Sequence, residues 1–411
     1  MDPTKTAKRG DSAGLAPGRE RRDRAAQGKL SLQLRYSFEP GEQTGAQMRN
    51  PLFELLAAVT EGGSIRDAAQ RLGLSYRYVW DSLRKWEVIL GEPLVSWSQG
   101  RKARLTEFAE RLAWAERRAR IRMQPHIEAL RSNLDRVLSD ARDDRCQLLT
   151  VRASHDIALP VLQQHAAKAA NLHMEVGFQG SVDALRALND RQCLVAGFHV
   201  PVLSTAAPIF ANALKPLLKP TLHKLIACST RTQGLMVRKE HAALIQSFPD
   251  LARYRLRFVN RQPGSGTRML MDHLLQQHGF AASRLCGASD HTENTHVAVA
   301  LCVASGVVDA GLGIEAAALQ FGLHFVPLVE ENYFLACLAP NVCHPAVERF
   351  RELLAGAPWR AILADLPGYR PARDPGSLLV IEEALPWWRR RSRPLKTGRL
   401  SAIGAIRRTR S

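Results

Sequence analysis

Short turns in the second half of the chain carry the residues best suited to hold an anion. They are Ser154-His155-Asp156, Gly180-Ser181, Gly197-Phe198-His199, Arg261-Gln262-Pro263-Gly264-Ser265-Gly266-Thr267-Arg268 and Thr295-His296, each beside a short apolar run. A hydroxyl or free backbone N–H at the start of a helix meets the positive end of the helix dipole, which favours negative charge. Glycines in such turns let the backbone approach a ligand closely, and few Asp or Glu lie there to oppose an anion. The chemistry suits a small oxyanion held by hydroxyls and N–H groups. The candidate contacts are Ser154, His155, Ser181, His199, Arg261, Ser265, Thr267, Arg268, Thr295 and His296. The histidines fit equally as contacts or as satisfied polar residues, and any one of these turns alone is ordinary loop chemistry.

The elements that must position these turns are strands alternating with helices. Strands are expected at 147–154, 173–180, 193–200, 256–261, 308–315 and 323–329, with helices at 159–170, 182–188 and 269–278. That alternation predicts a parallel sheet with helices on both faces. In such sheets ligands bind off the carboxyl ends of the strands, where the turns lie.

A second constellation lies between residues 63 and 106. Leu52, Leu55, Leu56 and Val59 give one helix an apolar face, which Gly62-Gly63 ends. Ser64 is a good N-cap for a second helix whose buried stripe would be Ile65, Ala68, Ala69 and Leu72. Gly73 suits a tight turn, and Ser75 caps a third helix with Val79, Leu83, Trp86 and Leu90 inward. Pro93–Trp97 and Ala103–Leu105 would then form a hairpin around Ser98-Gln99-Gly100-Arg101-Lys102.

This is the order of a winged helix-turn-helix, which sets its second helix in the major groove of double-stranded DNA. Tyr76, Arg77 and Tyr78 are the base-contact candidates, while Arg84, Lys85, Arg101, Lys102 and Arg104 are phosphate candidates. Ser64 and Ser75 complete the interface set at the helix starts.

Thr106 can cap a long helix reaching about Asp140, with an apolar side that includes Phe108, Leu112, Met123, Ile127 and Leu134. Pro125 inside it is expected to kink or break it. So long an apolar stripe exceeds what a small winged domain covers, which favours pairing with a second copy. A homodimer also suits two-fold DNA sites.

The segment 63–106 resembles the N-terminal domain of ModE-type molybdate-responsive regulators and, more loosely, that of LysR-type regulators. The resemblance rests on Gly63–Ile65, on Ala68–Tyr76, and above all on the run SYRYVWDSL from Ser75 to Leu83. Leu90–Val95, Gly100-Arg101 and Leu105-Thr106 are shared with both families, although the wing is shorter than a ModE wing. Residues 148–363 resemble a periplasmic-binding-protein-like domain related to molybdate-binding proteins. That resemblance rests on 153–162, 180–188, 196–201, 258–272 and 295–318. It implies two lobes that close on a ligand, with crossovers near 201–225 and 330–337. It also implies molybdate or tungstate as effector, with a pterin-type or organic anion left open.

The chain has 411 residues, net charge +18 and 45% hydrophobic residues, enough for two or three domains with real cores. Positive charge concentrates in 1–49 and 389–411, which read as basic disordered arms. Such arms would strengthen non-specific DNA binding through counterion release. No apolar run is long enough to span a membrane, and the N-terminus lacks the apolar core of a signal peptide. Seven scattered cysteines without a Cys-x-x-Cys pair suit reduced thiols in the cytoplasm and argue against a zinc site.

No Walker-type loop or His-Glu-x-x-His occurs and no Gly-x-Ser-x-Gly elbow follows a strand in the usual way, so no catalytic residue, metal or cofactor is expected. The expected fold class is mixed: an all-α winged helix-turn-helix at 50–105, a linking and dimerising helix at 106–145, and an α/β two-lobed domain of the type II binding-protein kind at 146–388. The expected role is a one-component transcriptional regulator. The alternative is a molybdenum-cofactor-related binding or biosynthesis protein.

Overall fold

The computed structural model describes residues 50–96, 104–140, 147–203, 208–281, 283, 285, 292–385 and 387–388. The two basic arms, and Arg101 and Lys102 of the wing, lie outside the described residues. The chain divides into two compact units, 1–128 and 129–411.

In the first unit, α1 (Pro51–Gly62) starts at Asn50, whose side chain accepts from the Leu52 N–H, and ends at Gly63 in the left-handed region with φ 71°. The Ser64 hydroxyl caps α2 (Ile65–Leu72), accepting from the Asp67 N–H at 3.1 Å and donating to the Asp67 carboxylate at 2.6 Å. Gly73, with φ 66°, turns the chain at no steric cost. Ser75 then caps α3 (Tyr76–Leu90) through the Tyr78 N–H.

Strands β1 (Val95–Ser96) and β2 (Arg104–Leu105) pair antiparallel as the base of the wing. Leu52, Leu56, Val59, Ile65, Ala68, Val79, Leu83 and Leu94 form the core of this unit. Leu72 departs from the expected stripe and is 37% exposed. It sits in the last turn of α2, beside Gly73, beyond the crossing that covers Ala68 and Ala69.

Helix α4 (Glu107–Asp140) is capped by Thr106, whose Oγ1 accepts from the Ala109 N–H. It runs through Pro125 without the expected break. Proline removes one N–H bond from the ladder, and 34 residues of helix supply many others.

The second unit is built on one curled sheet in the order β4-β3-β5-β10-β6-β9-β7-β8. At one end are β3 (Gln147–Ala153), β4 (Leu172–Phe178) and β5 (Val195–Pro201). At the other are β7 (Phe258–Arg261), β8 (Thr292–Glu293) and β9 (Ala310–Ile314). Pairs within each end are parallel. The two ends are the two lobes, joined by β6 (His223–Val237) and β10 (His324–Leu338), which run antiparallel to each other and to their neighbours. The sheet is therefore mixed, not wholly parallel as the alternation of strands and helices suggests. Two lobes connected only by helical crossovers would have no continuous floor, and two long antiparallel strands supply it.

Helix α5 (Ala158–Ala170) follows β3, α6 (Ser181–Asn189) follows β4, α7 (Pro208–Leu214) follows β5 and α8 (Phe248–Arg253) precedes β7. Helix α9 (Gly266–Gln277) follows β7, α10 (His296–Ala304) follows β8 and α11 (Glu315–Gln320) follows β9. Two separate cores cover the two faces of the sheet. Tyr333, Leu335 and Cys337 of β10 belong to one, and Phe334, Ala336 and Leu338 to the other, as period-two alternation requires. The crossover expected over 201–225 is instead made by β6, while α7 and a 3-10 turn occupy much of that segment. The return crossover expected over 330–337 lies within β10.

Candidate ligand site and nucleic-acid interface

The expected turns converge. An added Cβ at Gly180 would lie 2.9 Å from the carbonyl oxygen of Gly264, so the N-terminus of α6 abuts the loop that opens α9. A Cβ at Gly266 would lie 3.7 Å from Ser181 Oγ and 3.8 Å from the Cβ of His199. Ser181 is fully buried, and its hydroxyl has no hydrogen-bond partner. It is thus a free donor at a helix start, facing the start of a second helix from the other lobe.

Arg261, at the end of β7, is 5% exposed. Its Nη1 meets Nδ1 of His296 at 3.0 Å, its Nη2 donates to the Asn294 carbonyl at 2.9 Å, and its Nε has no partner. Among the described residues no carboxylate lies within ion-pair distance of it. Burial, then the charge of Arg231, pulls its pKa down to about 9, so it remains a cation at neutral pH. Thr295 caps α10 through the Ala298 N–H, and Thr267 is buried in the first turn of α9.

His155, His199 and His296 are all held neutral. Burial is the main cause, with Arg261 beside His155 and His296, and Arg231 beside His199, adding to it. The His155 value falls to about 4, and its Nδ1 has no partner. Its ring lies 5.0 Å from that of Phe178.

Other candidates are engaged differently. The Ser154 hydroxyl lies 2.7 Å from His199 Nδ1, and His199 Nε2 lies 3.1 Å from Asp156 Oδ2. Burial favours the neutral form of Asp156, but the hydrogen bond from His199 and the charge of Arg231 hold its carboxyl well below the usual range. An ionised Asp156 accepts from Nε2–H, so Nδ1 accepts from Ser154, whose proton is committed to the imidazole. The Ser265 hydroxyl donates to the Gln262 carbonyl and caps α9, and Arg268 pairs with Asp272 at 3.0 Å on the same helix. Ser265 therefore shapes the turn, and Arg268 is not brought to the buried cluster.

Residues of the two crossover strands complete this cluster, and sequence reading does not find them. Arg231 of β6, 3% exposed, donates to Asp156 at 2.7 Å and to Glu331 at 3.0 Å. Tyr369, of β11 (Tyr369–Pro371), donates to Asp156 at 3.1 Å, and Tyr333 stacks on His199 with ring centroids 4.3 Å apart. One signal in the sequence points there: each of these two long, mostly apolar runs carries charge at its middle, Arg231 in one and Glu331 in the other. Buried charge needs a partner, but which partner is decided by register. Among the described residues no group of three or more His, Cys, Asp or Glu is placed to hold a metal ion.

In the first unit, Tyr76 and Tyr78 are 47% and 57% exposed, and the side chain of Arg77 is 92% exposed, with a 3.7 Å approach to Asp81. The start of α3 thus presents an open aromatic and cationic face. Lys85 and Arg104 are exposed as expected. Arg84 is exposed too, but it pairs with Glu87 at 2.8 Å and lies over the Trp80 ring at 4.6 Å. Ser64 is 7% exposed and engaged with Asp67, so it shapes α2. No described helix is long and apolar enough to cross a membrane.

Comparison with known proteins finds a match for each of the two parts of the chain. Residues 52–110 match the model of bacterial regulatory helix-turn-helix proteins of the lysR family, and residues 162–355 match the PBP superfamily domain. The chain is 30% identical over 217 residues to the uncharacterized protein YvgK of Bacillus subtilis, covering 53% of this chain and 69% of that one. It is 42% identical over 62 residues to the molybdenum-pterin-binding protein MopB of Rhodobacter capsulatus, a match spanning 15% of this chain and 23% of the relative.

Similar solved structures include CbnR, a LysR family transcriptional regulator, at TM-score 0.35 and 16% identity over 75% of this chain and 100% of that one. Another is a Corynebacterium glutamicum OxyR mutant bound to hydrogen peroxide, at TM-score 0.39 and 16% identity over 74% of this chain and 90% of that one. The chain carries a DNA-binding helix-turn-helix of the LysR type ahead of a binding-protein-like ligand domain, and it belongs to the family of YvgK.

Proposed function

We propose that this protein is a one-component transcriptional regulator of the cytoplasm whose two-lobed domain senses a small oxyanion, with molybdate or tungstate as first candidates. The observation that carries the anion reading is Arg261: a buried cation without a carboxylate partner among the described residues. It ends β7, in the unit where Ser181 offers a free hydroxyl at the start of α6 and helix starts from both lobes meet. A buried charge of that kind is stabilised when an anion completes its shell. The name of MopB, which binds molybdenum-pterin, supports molybdenum chemistry for the ligand. The apolar side of α4 and the two-fold symmetry of common operator sites support a homodimer.

Ligand shifts DNA affinity only if it binds one domain arrangement better than another. The experiment compares affinity for a duplex selected from a random library, with and without molybdate and with sulfate as control. A change with molybdate supports the reading, and equal affinities exclude molybdate as effector while leaving DNA binding intact.

A second reading is a pterin-type or other organic anion, as in a molybdenum-cofactor-related binding protein. Glu331 Oε1 and both amide atoms of Gln233 are buried without partners on the crossover strands, and a ligand carrying both N–H or O–H donors and an acceptor would satisfy them. Ligand-induced thermal shift of the full chain with molybdate and with a pterin separates the two, because only a ligand that binds the folded state raises the midpoint.

A further inference from the structure

Glu87 connects the recognition helix to the wing. Its Oε1 accepts from the Leu94 N–H at 2.7 Å and the Val95 N–H at 3.1 Å, the two residues that lead into and open β1. Its Oε2 accepts from Arg84 at 2.8 Å, and Arg84 in turn lies over Trp80. The Glu87 side chain is 10% exposed while that of Arg84 is 55% exposed, so water competes weakly for the carboxylate.

The other side of the wing base is tied to α4. Thr106 Oγ1 donates to the Pro93 carbonyl at 2.7 Å, and the Thr106 N–H donates to the Leu94 carbonyl at 3.0 Å.

Among the described residues, β1 and β2 pair at the base of the wing, Val95 with Leu105 and Ser96 with Arg104. A two-stranded antiparallel pair is marginal by itself, so contacts at its base contribute to its direction. Glu87 ties β1 to α3 by charge-assisted bonds to the backbone, the stronger class of hydrogen bond. Arg104, exposed on β2, moves with that base relative to Arg77 on α3.

We propose that Glu87 is a positioning residue for DNA binding: it fixes the wing to the recognition helix, so that wing cations and base contacts meet DNA at once. This rests on the reading of α3 and the wing as the DNA-contacting surface. It also gives Arg84 a role other than phosphate contact, as the partner that holds the Glu87 carboxylate in place.

The test is a double-mutant cycle in the full chain between Glu87→Ala and Arg104→Ala, read as affinity and salt dependence on a duplex that the unmodified protein selects from a random library. Circular dichroism and thermal midpoint verify folding. Arg104→Ala alone should lower the slope of log affinity against log salt by about 1, the value for one lost phosphate contact. Glu87→Ala should lower affinity about tenfold or more and reduce the slope by at least as much. Adding Arg104→Ala to it should then change little, because the wing is already displaced.

Glu87→Gln keeps an oxygen that accepts from Leu94 and Val95 and should stay within about threefold of the unmodified protein, in line with retention of a neutral hydrogen bond. Glu87→Asp withdraws the carboxylate by one methylene and should behave like the alanine variant, which keeps the test open if that variant fails to fold. Additive effects of the two alanine changes, or a folded Glu87→Asp or Glu87→Ala variant with unchanged affinity and slope, overturn the proposal. So does a Glu87→Gln variant that loses as much as Glu87→Ala. Failure of the unmodified protein to bind any duplex overturns instead the reading on which the proposal rests.

Discussion

Arg261 meets Nδ1 of His296 over 3.0 Å, and both side chains are buried. The contact fixes the tautomer of the histidine, which accepts at Nδ1 and is kept neutral by burial and by the Arg261 charge. The guanidinium is left with Nε free and no carboxylate among the described residues. Replacing Arg261 with Met should therefore leave the ligand-free thermal midpoint near that of the unmodified protein, because an unpaired buried charge contributes little to stability. The thermal shift caused by the effector anion should disappear. A retained shift would remove Arg261 from the site.

Asp156 receives Arg231, His199 and Tyr369, all within 3.1 Å, at a position with no solvent exposure. Asp156→Asn leaves Arg231 with a single carboxylate, Glu331, in a buried site. Breaking such a pair destabilises by about 3 kcal/mol or more. Urea unfolding monitored by fluorescence measures it, and a loss below about 1 kcal/mol would show the network to be slack.

Acid should weaken the second unit in a defined window. Unfolded histidines take up protons as pH falls through about 6.5, while His155 in the folded chain resists until about 4, with His199 and His296 also lowered. The unfolded state thus binds more protons between those values, so stability present at neutral pH is lost as pH falls. The slope is at most about 1.4 kcal/mol per pH unit for each histidine. Asp156, with its folded value depressed, adds a further loss below the ordinary carboxylate range. The urea midpoint at a series of pH values checks this, and His155→Leu should lower the slope by about one proton. A midpoint that stays flat from neutrality to pH ~4 would show these histidines to be solvated.

Gly180 and Gly264 bring two lobes into backbone contact. A Cβ at position 180 would meet the Gly264 carbonyl oxygen at 2.9 Å, where no flexible side chain can yield. Gly180→Ala should force the two helix starts apart and lower anion affinity about tenfold, the effect of roughly 1–3 kcal/mol of overpacking. Calorimetric titration would read it, and an unchanged affinity would mean that the ligand does not lie between these turns.

On DNA, the exposed Arg77 and Arg104 should separate by role. Arg77→Ala should relax sequence discrimination, while Arg104→Ala, like Arg101→Ala in the adjoining basic run, should weaken all sequences alike and flatten the salt dependence. Selection from random duplexes with each variant measures both effects. The reverse pattern would exchange the two assignments.

The readable parts of this protein were those encoded locally. Ser64, Gly73 and Ser75 announce caps and turns because a cap depends on residues three positions apart, and each occupies the position expected of it. Thr295 is legible for the same reason. Leu72 misled because apolar spacing marks a helix face without saying where the neighbouring helix stops covering it. The pairing of Arg84 with Glu87 is not legible from exposure on a helix, which does not reveal a partner one turn away.

The sequence alone determined the presence of a winged helix-turn-helix, the alternation of strands and helices after it, and the hydroxyls and glycines at the turns. These depend on propensity, periodicity and capping, all short-range. Only the tertiary structure decided that β6 and β10 cross between the lobes in antiparallel register. That register places Arg231 between Asp156 and Glu331, 75 and 100 residues away along the chain. It likewise stacks Tyr333 on His199 and commits Ser154 to the histidine. Partners this distant are chosen by strand register and by the cost of leaving a buried charge unmatched, and neither is written in any local stretch of residues.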